Sequence, residues 1–152
     1  MSKAAAGKAV AATIRLVIPA GQAKPSPPVG PALGQAGLKI MDFCKDFNAK
    51  TAHIKDDVPI PVVITAYADK TFDYVTRSPP ATYFLKKASG ASAGSAKPGH
   101  QTTAAVSLKH VFAIAEAKSV DTPGAPLEAV VRSVVGTARS MGIRVVARPD
   151  DA

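Results

Sequence analysis

Ile60-Pro-Val-Val-Ile-Thr-Ala-Tyr-Ala-Asp-Lys-Thr-Phe-Asp-Tyr-Val-Thr-Arg-Ser-Pro-Pro80 is the stretch on which the reading of this 152-residue chain turns. Its first part, Ile60 to Tyr67, is rich in β-branched and apolar residues and reads as a strand. Asp69-Lys70 turns the chain, and Thr71 to Val75 returns as the second arm of a hairpin. Thr76-Arg77-Ser78-Pro79-Pro80 then ends the pattern, because proline holds the residue before it extended. Strands and one helix precede this break, and almost everything after it reads helical. The break therefore divides the chain into a domain at 1–76 and a domain at 77–152.

Upstream of the hairpin, Ile14, Leu16 and Ile18 alternate with Thr13, Arg15 and Val17, the period-two pattern of a strand. Residues 1–12 are small and polar and are expected to fray. Pro19 to Pro31 reads as a rigid loop, with one helical turn over Pro31-Ala-Leu-Gly-Gln35. Ile40, Phe43, Cys44 and Phe47 then fall at i, i+3, i+4 and i+7, the apolar stripe of an amphipathic helix from Lys39 to Lys50. Downstream of the break, Ala81 to Ala88 reads as a short helix ending in Lys86-Lys87. Ser89 to Ala105 is rich in Gly, Ala, Ser and Thr and reads as a long mobile loop. Ser107 caps a helix expected to turn Leu108, Val111, Phe112 and Ala115 inward. After a turn from Asp121 to Pro126, Leu127, Val130, Val131, Val134, Val135, Ala138 and Met141 form the longest stripe in the chain. Gly142 stops that helix, and Ile143-Arg-Val-Val146 reads as a closing strand. The expected class is α+β: an N-terminal sandwich of sheet and helix, and a C-terminal helical bundle with a short closing strand and a long mobile loop.

With 47% hydrophobic and 20% charged residues, the chain is not disordered throughout. Its formal net charge of +8 favours a polyanion or an anionic membrane surface as partner. The first 75 residues hold 9 basic and 6 acidic groups, net +3, and the rest hold 10 and 5, net +5. The second domain is thus the stronger polyanion candidate. No apolar run approaches the ~18 residues that span a bilayer, and the N-terminus has no secretory apolar core. That terminus carries lysines, is rich in alanine and holds no acid before Asp42, faintly like an organelle transit segment, although Arg15 is its one arginine. A single cysteine, Cys44, rules out an internal disulfide and a cysteine-based zinc cluster, and fits a reducing compartment.

Two surfaces stand out. Four prolines, Pro25, Pro27, Pro28 and Pro31, crowd into one loop. Proline fixes φ, so such a loop loses little entropy on contact and suits a presented recognition surface. Its Pro-x-x-Pro spacings also fit an SH3-like reader. On the last helix, opposite the apolar stripe, Arg132, Gly136 and Arg139 fall at i, i+4 and i+7, with Ser133, Thr137 and Ser140 beside them. Glycine inside a helix costs roughly 0.5–1 kcal/mol relative to alanine, and close approach of another backbone is a reason to accept it. Guanidinium forks and hydroxyls suit phosphate oxygens and ribose 2′-OH groups. An RNA-facing surface and a solvated face whose glycine admits a neighbouring helix both fit this pattern. Lys86-Lys87 running into Ser89-Gly90 is a second basic candidate.

Catalysis finds no support. Gly30, Gly34 and Gly37 match neither the dinucleotide nor the P-loop spacing, and no Lys-Ser/Thr follows them. His53, His100 and His110 are scattered, and none stands in an acid–base or metal motif. Cys44 lies on an apolar stripe and reads as a buried thiol. No catalytic group, metal site or cofactor is expected.

Four blocks stand in order: Pro25-Ser-Pro-Pro-Val-Gly-Pro-Ala-Leu-Gly-Gln35, Phe43-Cys-Lys-Asp-Phe-Asn-Ala-Lys-Thr51, Pro79-Pro-Ala-Thr-Tyr-Phe-Leu-Lys-Lys-Ala88 and Gly136-Thr-Ala-Arg-Ser-Met-Gly-Ile143. Together, from about Ile14 to Val146, they resemble the ribosomal protein L11 family of the large subunit. Leu108-Lys-His-Val-Phe112 and Val130-Val-Arg-Ser-Val-Val-Gly136 look more like mitochondrial than bacterial members. The resemblance implies a two-domain protein at the stalk base, in the mitochondrial matrix, with the bacterial cytoplasm or a plastid as the alternative. Its C-terminal domain would grip the GTPase-associated region of large-subunit rRNA. Its N-terminal domain would face elongation and release factors and neighbouring stalk proteins, and would form the thiopeptide antibiotic cleft with the rRNA. Carried over by position, the rRNA-facing set is Lys86, Lys87, Ser89, Gly90, Gly136, Thr137, Ser140, Met141 and Gly142, and the antibiotic-facing prolines are Pro25 and Pro28 with Pro31 nearby. No membrane role is implied. The chain departs from the family in its loop after Lys87, where only Lys97 and His100 are basic. Lys45 matches one lysine that bacterial members methylate.

Overall fold

The computed structural model describes residues 9–148. The chain divides into two compact units, Met1–Arg77 and Ser78–Ala152.

In the first unit, β1 (Val10–Pro19), β2 (Pro59–Tyr67) and β3 (Phe72–Thr76) form an antiparallel sheet in the order β1-β2-β3. Ile14 pairs with Ile64 and Ile18 with Ile60 across β1 and β2, and Ile64 pairs with Tyr74 across β2 and β3. Burial alternates along β2, so Ile60, Val62, Ile64 and Ala66 all turn to one face. Helices α1 (Val29–Gln35) and α2 (Ile40–Thr51) cover that face. Val29 and Leu33 of α1 and Phe43, Cys44 and Phe47 of α2 join the sheet residues in one apolar core. The Phe43 and Phe47 rings lie 5.8 Å apart, and each would cost roughly 3–5 kcal/mol to truncate to alanine. Asp42 in the first turn of α2 and Lys50 in the last match the helix dipole.

Two sequence expectations change here. The strand begins at Val10, not Thr13, because pairing to Tyr67 and Ala66 continues past an irregularity at Val10–Ala12. Fraying expected for residues 1–8 lies outside the described residues. Helix α1 starts two residues earlier than expected, at Val29, so Pro31 sits in its first turn rather than in the loop. Burying Val29 under the core draws the chain into helix that early.

In the second unit, α3 (Ala81–Ser89), α4 (Leu108–Ser119) and α5 (Leu127–Ser140) pack on one another. Beside them β4 (Ala104–Ser107) pairs in parallel with β5 (Ile143–Val146). The core holds Leu85, Val106, Val111, Ile114, Ala115, Val130, Val134, Ala138 and Ile143. At the start of this unit, Lys118 Nζ donates to Asp121 Oδ2 at 2.7 Å and to Ser78 Oγ at 3.1 Å. Ser78 Oγ in turn donates to Asp121 Oδ2 at 2.6 Å, so the three side chains tie the entering segment to the α4–α5 turn.

Two further corrections arise. Leu108 and Phe112 do not face inward: each is 49% exposed, and the buried face of α4 is Val111, Ile114 and Ala115. Packing against both α3 and α5 rotates the helix toward that second stripe. The supposed loop over 89–105 enters β4 at Ala104, and the stretch before it is anchored. Ser95 N–H donates to Met141 O at 2.8 Å, and Thr103 N–H donates to Gly142 O at 2.9 Å. Gly142 makes this possible: its φ is +71°, and a Cβ there would lie 2.5 Å from Ser95 Cβ and 2.8 Å from Gln101 O.

Candidate RNA interface

Helix α5 fixes the geometry. Val130, Val134 and Ala138 are buried, and Leu127, Val131, Val135 and Met141 pack beside them. With that stripe held inside, a 3.6-residue period turns Arg132, Gly136 and Arg139 outward, and all three are exposed. A Cβ built on Gly136 meets nothing within 4 Å. Among the described residues no neighbouring helix fills the gap, so the glycine leaves a bare backbone patch there. Arg132 holds Glu128 Oε1 at 2.5 Å, with both side chains largely exposed. Exposed pairs of this kind contribute at most about 1 kcal/mol, so a phosphate can take the guanidinium over.

Thr137 Oγ1 donates to Ser133 O at 3.0 Å, and Ser140 Oγ donates to Thr137 O at 2.7 Å. Their protons are committed to the helix, and what they offer outward is acceptor lone pairs, suited to a 2′-OH donor. Ser133 and Ser140 are exposed and Thr137 is half-buried. Met141 is half-buried, while Gly142 is buried beneath Ser95 and Gln101. Gly142, expected from the sequence among the contact residues, therefore shapes the turn and offers little surface beyond the edge it gives to a cleft beside Arg139.

Lys86 and Lys87 close α3, whose C-cap Gly90 has φ +71°. They line a cleft of about 450 Å³ with Tyr83, Gly90, Ala91 and Ser92, and Lys87 Nζ lies 5.9 Å from the Tyr83 ring centre. Ser89 Oγ caps locally, accepting from Ala91 N–H at 3.4 Å. Only four residues separate Gly90 from Ser95, which is bonded to Met141. Five steps of chain span at most ~18 Å, so the basic end of α3 lies within about that distance of the end of α5. Sequence reasoning missed a further group. Gln101, Thr102 and Arg144 line a cleft of about 330 Å³ together with Arg139 and Gly142. Arg144 was legible as an outward position of a strand; Gln101 and Thr102 carry no such signal.

In the first unit Pro25, Pro27, Pro28 and Pro31 are all exposed. The loop beneath them is held at several points. Asn48 Oδ1 accepts from Ala23 N–H at 2.9 Å, and Asn48 Nδ2 donates to Ala23 O at 3.1 Å. Thr51 Oγ1 accepts from Gly21 N–H at 3.1 Å. A Cβ on Gly30 would stand 2.6 Å from Pro25 O, so the loop folds tightly back on α1. Pro31 inside α1 breaks the second Pro-x-x-Pro spacing as an extended ligand, which weighs against the SH3-like reading.

Burial raises the pKa of the Cys44 thiol, as befits a core residue. Ser107 Oγ lies 3.0 Å from His110 Nδ1, but Ser107 is buried at the head of α4 and cannot meet a substrate. Among the described residues, no cluster of three His, Cys, Asp or Glu is placed to hold a metal ion. Among them, no helix is long and apolar enough to cross a membrane.

A basic helix face with a bare backbone patch, on a small helical unit, is the kind of surface that structural RNA-binding proteins present. Residues 14–72 match the family described as ribosomal protein L11, N-terminal domain, and residues 77–145 match ribosomal protein L11, RNA binding domain. The chain belongs to the ribosomal protein L11 family: it is a structural, non-enzymatic protein of the large ribosomal subunit that binds rRNA.

Proposed function

We propose that the second unit grips the GTPase-associated region of large-subunit rRNA through the outward face of α5, and that the first unit presents its proline loop to elongation and release factors. The domains divide the labour: 77–152 holds the RNA, 1–76 faces the factors, and the segment Arg77–Pro80 serves as hinge. The observation that carries the RNA reading is the open space over Gly136, set between two exposed arginines. Arg132, Arg139, Lys86 and Lys87 supply charge to phosphates, and Ser133, Thr137 and Ser140 supply acceptors to ribose hydroxyls. Ser89, Gly90 and Met141 flank the contact, and Gly142 holds its turn. Pro25, Pro27 and Pro28, with Pro31 beside them, form the wall of a thiopeptide cleft that the rRNA completes. The mitochondrial matrix is the compartment favoured by the sequence blocks at Leu108–Phe112 and Val130–Gly136. Titration of the isolated rRNA fragment tests the central claim. Arg139→Ala and Gly136→Asp should each lose about 1–3 kcal/mol of binding while leaving the helix folded. Wild-type affinity in both variants would refute the assignment.

A further inference from the structure

The three-stranded sheet has a second face, turned away from α1 and α2. Along β2 the outward positions are Pro61, Val63, Thr65 and Tyr67. Across the sheet Val63 stands between Arg15 and Val75, and Pro61 stands beside Val17, with Arg77 N–H donating to Pro61 O at 2.9 Å. Val17 is 51% exposed and Val75 is 52% exposed. A shallow cleft of about 400 Å³ lies here, lined by Arg15, Val17, Pro61, Val63 and Arg77 among others. The rows thus read Arg15–Val63–Val75 and Val17–Pro61–Arg77, an apolar centre with a guanidinium at each of two opposite corners. Among the described residues neither guanidinium has an acidic partner. Among the described residues of these three strands the carboxylate on this face is Asp73, which lies one row away beside Thr65 and accepts from Tyr67 O–H at 3.0 Å.

We propose that this face docks an acidic, amphipathic segment of a partner protein, one that alternates aspartate or glutamate with apolar residues. Charge complementarity selects the sign: two unneutralised arginines favour a partner with carboxylates at matching positions. The apolar centre selects the class. Exposed valines and a proline gain from burial against apolar side chains and offer nothing to a phosphate chain. The RNA-suited face of α5 sets hydroxyls and a bare backbone patch beside its arginines, whereas the two arginine rows here hold only valines and a proline. This surface is distinct from the proline loop, which lies on the helix side of the sheet.

The test uses large subunits assembled with the full chain carrying a benzophenone amino acid in place of Val75, irradiated with translation factors present. The expected product is a crosslink to a protein segment rich in aspartate and glutamate. It should be lost, about tenfold or more, when Arg15→Glu and Arg77→Glu are combined, and regained when the crosslinked segment's acids are changed to lysine. Melting curves of the double variant check that the sheet still folds, and single variants at each corner serve in its place if it does not. A crosslink to rRNA, a crosslink to a segment without acids, no crosslink, or a crosslink indifferent to charge reversal would each overturn the proposal.

Discussion

Replacing Gly136 by alanine separates folding from binding in one residue. In the interior of α5 a glycine costs roughly 0.5–1 kcal/mol relative to alanine, through backbone entropy. The added methyl meets nothing within 4 Å, so no clash offsets that gain. The variant should be more stable by about that amount, raising the melting temperature of the second unit by ~2–8 °C at ~4–8 °C per kcal/mol for a unit of this size. If an RNA strand lies against the bare backbone, the same methyl forces it away. A tightly packed contact loses ~1–3 kcal/mol to an inserted methylene, which lowers affinity by ~5- to 150-fold. Thermal melts and fluorescence titrations of the rRNA fragment at one fixed salt concentration measure both quantities. Rising stability with falling affinity is the expected pair. Rising stability with unchanged affinity would mean that the open space faces only water, and the interface would lie elsewhere. Gly142→Ala is the counter-case: φ +71° and a Cβ 2.8 Å from Gln101 O should destabilise the unit by ~1–2 kcal/mol or more.

Pro28→Ser should leave rRNA affinity nearly unchanged and weaken thiopeptide binding to the protein–rRNA complex; equal drug binding would remove the loop from that site. Asn48→Ala removes both bonds to Ala23 and leaves a part-buried N–H without its acceptor, so the first unit should lose ~1–3 kcal/mol, and hydrogen exchange at Ala23 should quicken. Protection at Ala23 equal to wild type would show that the clamp is idle. Asp121 offers a pH test. Burial raises its pKa, but hydrogen bonds from Lys118 and Ser78 outweigh burial, and the folded carboxyl titrates below its ordinary value. Its contribution is therefore complete above about pH 4, the unfolded value, and is lost as pH falls through the lower folded one. Chemical denaturation between about pH 5 and pH 2 should show the second unit weakening, with Asp121→Asn flattening that dependence; a parallel profile in the variant would refute the role.

Much of this was legible locally. The alternation in Ile60–Tyr67 and the stripe of α5 each report one element's buried face, and a buried face of regular period is written in consecutive residues. The outward triad Arg132, Gly136 and Arg139 followed from the same stripe. Leu108 and Phe112 misled because α4 carries two apolar stripes side by side, and only its contacts with α3 and α5 select between them. Strand β4 was hidden in a small-residue segment whose pairing partner, β5, lies far along the chain.

By itself the amino-acid order determined the α+β class, the break near Arg77, the basic excess of the second half and the family, since each is a property of composition, period or ordered motif. The tertiary structure alone decided that the gap over Gly136 is open among the described residues, that Gly142 is buried, that Arg139 shares a cleft with Gln101 and Arg144, and that two arginines flank valines on the sheet face turned away from α1 and α2. Openness and proximity depend on which distant segments arrive at a given surface, and long-range packing sets that where local pattern cannot.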